Sequence, residues 1–194
     1  MATGLKEFNL IVAGVGGQGI LLASEILSAA ALARGLDVKK SEVHGMAQRG
    51  GSVVSHVRFG AKVHSPVIAE GEADVLVAFE KMEALRWIHF LKPGGRVVVS
   101  AQEIIPSGLD EYPKDLDARI RARAPGAVFV DALAIAKEAG NVRAVNTVML
   151  GAFSAFLDFS DDEWKRAIEA SVPKKTIEVN LAGFARGRKA AAGR

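Results

Sequence analysis

The sequence predicts an α/β domain with a three-layer, Rossmann-like arrangement, in which a mostly parallel sheet is followed by C-terminal helices. Phe8 to Ala13 is a short apolar run that stops at a glycine cluster and leads into an alanine- and leucine-rich segment. Later segments alternate as strand, helix and strand, the order that builds parallel sheets with right-handed crossovers. No repeat, linker or change of composition divides the 194 residues, so we expect one domain over residues 1–194.

The first half of the chain contains the glycine turn and a second glycine-rich loop. The first helix is predicted over Ile20 to Arg34, because Gly35 follows at the position where a left-handed residue ends helices. Leu36 to Val43 and Ser52 to Phe59 are the second and third predicted strands, with the loop between them.

The second half begins with a buried strand, Ala73 to Phe79, and a helix predicted over Glu80 to Leu91. The apolar face of that helix is expected to contain Met82, Leu85, Ile88 and Leu91. The remaining predicted elements are a strand over Arg96 to Ser100, a short helix over Asp115 to Ala124, a strand over Ala127 to Val130, a helix over Ala132 to Ala139 capped by Asp131, a buried helix over Ala144 to Leu157, a helix opened by a capping box at Ser160 and Glu163, and a final helix after Pro173.

Composition excludes several kinds of chemistry. The chain contains no cysteine, so it cannot carry a disulfide framework, a thiolate nucleophile or an iron–sulfur cluster of its own. His56, His64 and His89 are dispersed without the spacing of metal ligands, and we interpret all three as structural. No metal site is predicted.

Charge and hydropathy argue against nucleic acid and membranes. The 25 basic and 22 acidic residues nearly balance, and the basic excess is concentrated in residues 186–194, which we interpret as a C-terminal tail after a domain over residues 8–185. No apolar run reaches the roughly 18 residues of a membrane span, and the N-terminus lacks the apolar core of a signal peptide. A cytoplasmic protein is therefore expected.

The glycine turn matches the dinucleotide-binding fingerprint at Gly14, Gly16 and Gly19, in the strand-to-helix context that places a helix N-terminus against an anion. An NAD site also requires an acid after the second strand, and Glu42 is the candidate. Gln18 is unusual for such a site and suggests a different ligand or a protein interface. The structural alternative is that the glycines only allow the first helix to pack closely on the sheet.

The second loop, His44 to Ser52, is dense in polar residues and glycine. His44 offers an imidazole, Arg49 offers a planar fork for a carboxylate or phosphate, and Gly50 and Gly51 allow close backbone approach. The alternative is a hairpin loop in which Arg49 pairs with a surface acid. Asn146 and Thr147, in an otherwise apolar helix, are open to either a core or a functional interpretation.

Together, the segments GVGGQG at 14–19 and HGMAQRGGS at 44–52 resemble the gamma-type domain of 2-oxoacid:ferredoxin oxidoreductases, with the indolepyruvate enzymes as the most similar branch. The resemblance spans roughly Asn9 to Phe184. It implies a subunit of an enzyme that oxidatively decarboxylates a 2-oxoacid to acyl-CoA, with thiamine diphosphate, coenzyme A and [4Fe-4S] clusters in the assembled enzyme and none bound by this chain alone. A larger alpha-type subunit would carry the thiamine and iron–sulfur sites and pass electrons to ferredoxin.

The resemblance also suggests roles for residues. It implies a cofactor-facing loop of backbone N–H donors and a second loop that faces the substrate or the partner subunit, with no catalytic residue on this chain. The isolated chain is expected to be inactive and able to form a homodimer. A stand-alone NAD-dependent dehydrogenase and a nucleotide-sensing interaction module are the alternatives. The first loop comprises Gly14, Gly16, Gly17, Gln18 and Gly19, and the second His44, Gln48, Arg49, Gly50, Gly51 and Ser52.

Overall fold

A six-stranded mixed sheet with helices on both faces forms the protein. The computed structural model describes residues 7–44, 50–106, 108 and 110–192. The strands are β1 (Phe8–Val15), β2 (Asp37–His44), β3 (Ser52–Gly60), β4 (Ala73–Ala78), β5 (Leu91–Ser100) and β6 (Val128–Val130). The helices are α1 (Ile20–Ala33), α2 (Lys81–Trp87), α3 (Leu116–Arg123), α4 (Ala132–Glu138), α5 (Val145–Ser154), α6 (Asp161–Ser171) and α7 (Ile177–Ala192), with 3-10 turns at Ile88–Phe90, Val142–Ala144 and Lys174–Thr176.

The strand order is β2-β3-β1-β4-β5-β6. Strands β1, β4, β5 and β6 pair in parallel, which confirms the predicted α/β class, whereas β3 is antiparallel to both β1 and β2. The connection from β2 to β3, residues 45–51, is too short for a parallel crossover, which needs about a dozen residues or more. β3 therefore folds back and inserts between β2 and β1.

The two faces of the sheet bury separate apolar layers. Leu10 and Val12 of β1 point into the layer shared with α1, α4, α5, α6 and α7. Ile11 and Ala13 point to the opposite layer, shared with α2 and α3. This alternation follows from the two-residue period of a strand. The result is the predicted three-layer arrangement.

The buried face of α2 differs from the sequence prediction. The helix ends at Trp87, and its buried residues are Lys81, Glu83 and Ala84, while Met82 and Leu85 are only partly buried. The prediction is therefore confirmed for Ile88, which is buried, and for Leu85, which packs against the core, but charged residues share the buried face. The spacing of apolar residues in a sequence predicts only an apolar buried face. Here charged side chains are buried as well, because ion pairs and hydrogen bonds satisfy them.

The basic C-terminal residues belong to the packed domain. Helix α7 continues through Ala192, and Gly187 and Ala191 are buried along it. Arg186 pairs with Glu138 of α4 at 3.0 Å, and Arg188 pairs with an acid of α6. Residues 186–192 are thus the last turns of a core helix and not a separate tail, since a helix buries residues on one stripe whatever charges it carries on the other.

Helices α5 and α7 lie unusually close to each other because glycines face both backbones. A methyl group on Gly151 would overlap the carbonyl of Phe184, and one on Gly187 would overlap the carbonyl of Val148. Neither carbonyl can move without displacing its helix. The small residues therefore set the distance between the two helices.

We expect Gly151→Ala and Gly187→Ala to destabilise the fold by about 1–3 kcal/mol or more, because overpacking forces backbone shifts. Gly126→Ala is the matched control, since a methyl group there meets nothing within 4 Å. Urea-induced unfolding measures the difference. Equal unfolding midpoints for Gly151→Ala and Gly126→Ala would contradict the close approach of α5 and α7.

His56 provides a pH-dependent contribution to stability. Its Nδ1 accepts a hydrogen bond from the Ile68 N–H at 3.2 Å, and its ring packs edge-on against Phe90. Burial lowers the pKa of His56 below its usual value of 6.5. The unfolded chain therefore takes up this proton at higher pH than the folded chain.

Stability from His56 should be fully present above pH 6.5 and should decrease as the pH falls toward the lowered pKa of the folded state. Unfolding free energies measured on both sides of that pH in wild type, His56→Gln and His64→Gln provide the test. His64→Gln should keep the wild-type pH dependence because His64 is exposed, and His56→Gln should show a shallower one. Identical pH profiles for wild type and His56→Gln would refute this assignment.

Candidate functional site at the carboxyl edge of the sheet

The glycine turn connects β1 to α1 at the carboxyl edge of the parallel strands. Gly14 is the penultimate residue of β1, and a methyl group there would lie 2.8 Å from both Phe79 Cβ and Gln18 Oε1. Gly17 and Gly19 have positive φ angles of 102° and 80°, and Gly19 is the N-cap of α1. Close packing therefore requires glycine at the first position, and backbone conformation requires it at the other two.

Gln18 holds the turn in place from within. Its amide oxygen accepts a hydrogen bond from Val15 N–H at 2.7 Å. Its amide nitrogen donates to the Phe79 carbonyl at 2.9 Å and to Gln102 Oε1 at 3.0 Å. Both ends of the amide are engaged by the fold. Gln18 thus joins the glycine turn to the residues that follow β4 and β5, and both ends of its amide have partners within the fold.

Two backbone N–H groups of the glycine turn remain available as hydrogen-bond donors. Gly16 N–H donates to the Gly51 carbonyl at 2.8 Å, and Gln18 N–H donates to the Val15 carbonyl at 3.1 Å. Within the described part of the chain, the N–H groups of Gly17 and Gly19 have no acceptor. These two are the groups that can bind an anion at the N-terminus of α1.

The second predicted loop meets the first through its C-terminal end. His44 is the last residue of β2 and lies opposite Val53 in the sheet, whereas Gln48 and Arg49 lie outside the described residues. Gly50 has a φ of 79°, and its N–H approaches the Gly16 carbonyl at 3.5 Å. The structure therefore joins the two motifs at Gly16, Gly50 and Gly51.

Ser52 is anchored by a buried carboxylate that the sequence analysis missed. Its hydroxyl donates to Oε2 of Glu83, which also accepts from Trp87 Nε1 at 3.2 Å. The other carboxylate oxygen of Glu83 accepts from Arg86 Nε at 3.0 Å. Ser52 is thus held against α2, and it fixes the end of the second loop.

Glu80 and Lys81 fix the long connection that follows β5. The Glu80 carboxylate caps α2 by accepting from Met82 N–H at 2.7 Å, and it also accepts from the Tyr112 hydroxyl. Burial and the adjacent Glu80 raise the pKa of Tyr112. Lys81 pairs with Glu103 and Asp117, each at 2.8 Å.

Burial alone would lower the pKa of Lys81, but hydrogen bonds and charges from Asp117 and Glu103 outweigh it and raise the pKa. The lysine therefore stays charged and holds both carboxylates. Since Glu80 and Glu83 are also held, the buried acids and base at this edge serve the structure.

Asn146 is the polar helix residue that reaches the glycine turn. It is 5% exposed and lies in the first turn of α5, where a methyl group on Gly19 would approach its Nδ2 to 2.9 Å. Thr147 has the core role instead, since its hydroxyl contacts the Ala144 carbonyl at 2.9 Å and Asn180 Oδ1 at 3.1 Å. Of these two polar residues, Thr147 therefore has core contacts, whereas Asn146 lies against the glycine turn.

A cleft of about 470 Å³ opens beside the turn. Its wall is formed by Gly16, Gly17, Gly19, the first turns of α1 and Val53. Large apolar side chains surround this edge and are 39–56% exposed: Leu21, Val43, Ile105 and Val142. Large apolar side chains left exposed beside a cleft make this edge a candidate surface for contact with another molecule.

The NAD-type arrangement predicted around Glu42 is not assembled. Strand β3 separates β2 from β1, and Glu42 pairs with Lys40 at 2.6 Å instead of approaching the glycine turn. Across residues 7–44, 50–106, 108 and 110–192, no three His, Asp or Glu side chains converge as a metal site would require. None of the helices in those same ranges has the length and apolar content to cross a membrane.

Solved structures share this fold. The keto/oxoacid ferredoxin oxidoreductase gamma subunit from Geobacter sulfurreducens superposes with a TM-score of 0.74 at 24% identity, covering 96% of this chain and 99% of that one. The 2-oxoglutarate:ferredoxin oxidoreductase from Magnetococcus marinus gives a TM-score of 0.77 at 24% identity, covering 98% of this chain and 32% of that one. The fold is thus that of an oxoacid oxidoreductase gamma-type domain.

The chain belongs to the pyruvate ferredoxin/flavodoxin oxidoreductase family, whose sequence profile matches residues 9–190. Among curated proteins it is similar to indolepyruvate oxidoreductase subunit IorB of Thermococcus kodakarensis, with 46% identity over 196 residues. That alignment covers 96% of this chain and 97% of the relative. The family resemblance found in the two glycine motifs is therefore confirmed.

Replacement of Gln18 tests whether its amide is structural. Gln18→Leu leaves the partly buried Val15 N–H without its acceptor and should lower the free energy of unfolding by about 1–3 kcal/mol. Gln102→Leu is the control, because it removes only one of the three hydrogen bonds and should cost less. Chemical denaturation measures both variants. Unchanged stability in Gln18→Leu would contradict a structural role of the amide and favour contact with a ligand.

Proposed function

We propose that this chain is the non-cluster subunit of a thiamine-diphosphate-dependent 2-oxoacid:ferredoxin oxidoreductase, which oxidatively decarboxylates an aryl or other 2-oxoacid, such as indolepyruvate, to acyl-CoA. The observation that carries the proposal is the union of the two glycine motifs at the carboxyl edge, through the hydrogen bond between Gly16 and Gly51. Full-length similarity to an indolepyruvate oxidoreductase subunit supports the aryl substrate class.

The division of labour follows from the residues of this chain. In the assembled enzyme, thiamine diphosphate supplies the electron sink, coenzyme A takes the acyl group and [4Fe-4S] clusters pass electrons to ferredoxin. This chain has no cysteine and so does not fit a cluster. Glu80 and Glu83 are hydrogen-bonded within the fold, so the carboxylate needed against the thiamine is assigned to the partner.

The apolar carboxyl edge is the surface that we assign to the larger alpha-type subunit. Val43 is 56% exposed at the end of β2, and Ile105 is 53% exposed in the connection after β5. Both lie on the edge that carries the glycine turn, so docking there would bring the turn to the partner's active site or coenzyme A site. In the absence of that partner, the same edge can support a homodimer.

Within this interface, the glycine turn supplies Gly17 and Gly19 N–H donors for a cofactor. His44, Gln48 and Arg49 are proposed to face the substrate or the partner, with Gly50 and Gly51 allowing close backbone approach. Ferredoxin would contact the assembly through the larger subunit. No catalytic acid or base is assigned to this chain.

Reconstitution tests the function. The purified chain alone should not reduce a viologen dye with 2-oxoacid and coenzyme A, and adding the alpha-type subunit should produce indolepyruvate-dependent reduction. The physical reason is that the partner holds the electron-transfer groups. Reduction of the dye by the chain alone would contradict the proposal.

The docking surface is tested in the same system with Val43→Asp, which places a charge in the proposed apolar interface and should weaken association with the alpha-type subunit by about tenfold or more. Val67→Asp is the matched control, since Val67 is 58% exposed in the connection before β4, at the opposite edge. Equal affinities of the two variants would exclude this edge as the interface.

A further inference from the structure

Strand β2 leaves one side of the sheet open. It is the terminal strand in the order β2-β3-β1-β4-β5-β6 and pairs with β3 alone, over eight residues without a shift of register. Among the described elements, only β3 and α1 contact it extensively. No hydrogen bond from another described residue engages the backbone of its outer side. A row of unpaired N–H and C=O groups is a template for pairing with another strand.

The two edges of the sheet differ in how well they are protected from such pairing. Strand β6 at the opposite edge has only three residues, and a very short edge strand is one of the devices that prevent pairing. Strand β2 has neither a bulge nor a proline, so its charged side chains are the remaining protection.

The charges of β2 do not repel a second β2 strand, because they complement each other. Lys40 and Glu42 lie two residues apart and therefore on one face, with Lys40 Nζ 2.6 Å from Glu42 Oε1. A lysine by itself on an edge strand would repel its own copy. A lysine and a glutamate at this spacing can instead exchange partners between two antiparallel strands.

This exchange selects one register for two β2 strands. In a twofold-symmetric antiparallel pair, one residue lies opposite its own copy and the others pair symmetrically about it. With Ser41 at the centre, Lys40 lies opposite the second copy's Glu42. With Lys40 or Glu42 at the centre, like charges lie directly opposite each other, which is destabilising.

Glu42 also has unused capacity to accept hydrogen bonds. Its Oε1 is buried and, despite the nearby lysine, accepts no hydrogen bond from the residues that the structure describes. The side chains of Lys40 and Glu42 are each 26% exposed, so a second pair of charges can approach them. Burial of a carboxylate oxygen without a hydrogen bond is costly, and a lysine from a second copy would reduce that cost by donating to this carboxylate.

We propose that β2 is the contact between two copies of this chain, which pair antiparallel about Ser41 and continue the sheet from one copy into the other. Each Lys40 then faces the second copy's Glu42, so the four charges alternate in sign on one face. The contact runs along the side of the sheet and not across the apolar carboxyl edge assigned to the alpha-type subunit. It involves this chain alone and does not rest on the proposed function.

An introduced thiol tests the register directly, because the chain has no cysteine of its own. Opposing residues of an antiparallel pair have Cα atoms about 4.5–5.5 Å apart, a distance that a disulfide can span. Ser41→Cys should therefore form a disulfide-linked dimer of the full chain under mild oxidation. Lys39→Cys is the matched control on the same strand and should not link, since residue 39 would face the second copy's Val43. Equal linking of the two variants, or none in Ser41→Cys, would overturn the proposal.

Charge reversal tests the complementarity. Lys40→Glu places four acids at the contact and Glu42→Lys places four lysines, so each variant alone should dimerise at least about tenfold more weakly than the wild type. A mixture of these two variants should recover the dimer, because every acid then faces a lysine. Lys39→Glu makes the same change of charge on the other face of β2 and should dimerise as the wild type does. Sedimentation equilibrium of the full chain over a series of concentrations measures all four samples.

A wild type that is monomeric throughout the concentration series would overturn the proposal, as would a mixture that does not recover the dimer. If the wild type is monomeric and Lys40→Glu instead weakens binding of the alpha-type subunit, β2 belongs to the interface with that subunit and the pairing of two copies is rejected. Circular dichroism identifies any variant that fails to fold, and the thiol experiment then decides the outcome.

Discussion

The antiparallel insertion of β3 beside β1 is the constraint on which the site depends. Because residues 45–51 are too few for a crossover, the chain returns next to the strand that ends in the glycine turn. Ser52 then pairs with Val15 across the sheet, and the Gly51 carbonyl accepts a hydrogen bond from the Gly16 N–H. Two motifs separated along the sequence thereby become one backbone structure, and β2 is displaced to the sheet edge, away from the position that an NAD site would require.

Buried polar groups keep this edge rigid. Gln18 links the glycine turn to β4 and to the connection after β5, and Glu83 links Ser52 to α2. Glu80 and Lys81 hold that same connection through Tyr112 and Glu103. An unsatisfied buried amide or carboxylate is costly, so these networks favour a single arrangement of the surrounding loops. Rigid support is what a loop of backbone donors needs if it is to contribute to a partner's active site.

The other side of the glycine turn is organised by helix packing. The glycines at the contact between α5 and α7 allow the two backbones to approach, and the paired positions Thr147 with Asn180 and Gly151 with Phe184 show that the two helices run parallel. Asn146 lies where α5 meets Gly19. Structural glycines in the C-terminal half thus fix the position of the helix that meets the glycine turn of the N-terminal half.

The sequence alone predicts the class of fold, the turns that require glycine and the helix caps. The fold class follows from local periodicity, and the turns and caps depend on the backbone conformation of adjacent residues. The capping box at Ser160 and Glu163 is formed as predicted. Only the tertiary structure decided the strand order, the engagement of Gln18, the buried charges of α2 and the placement of residues 186–192 in a core helix. Each of these depends on partners distant in sequence, such as Phe79 for Gln18 and Asp117 for Lys81, and local patterns do not encode such contacts.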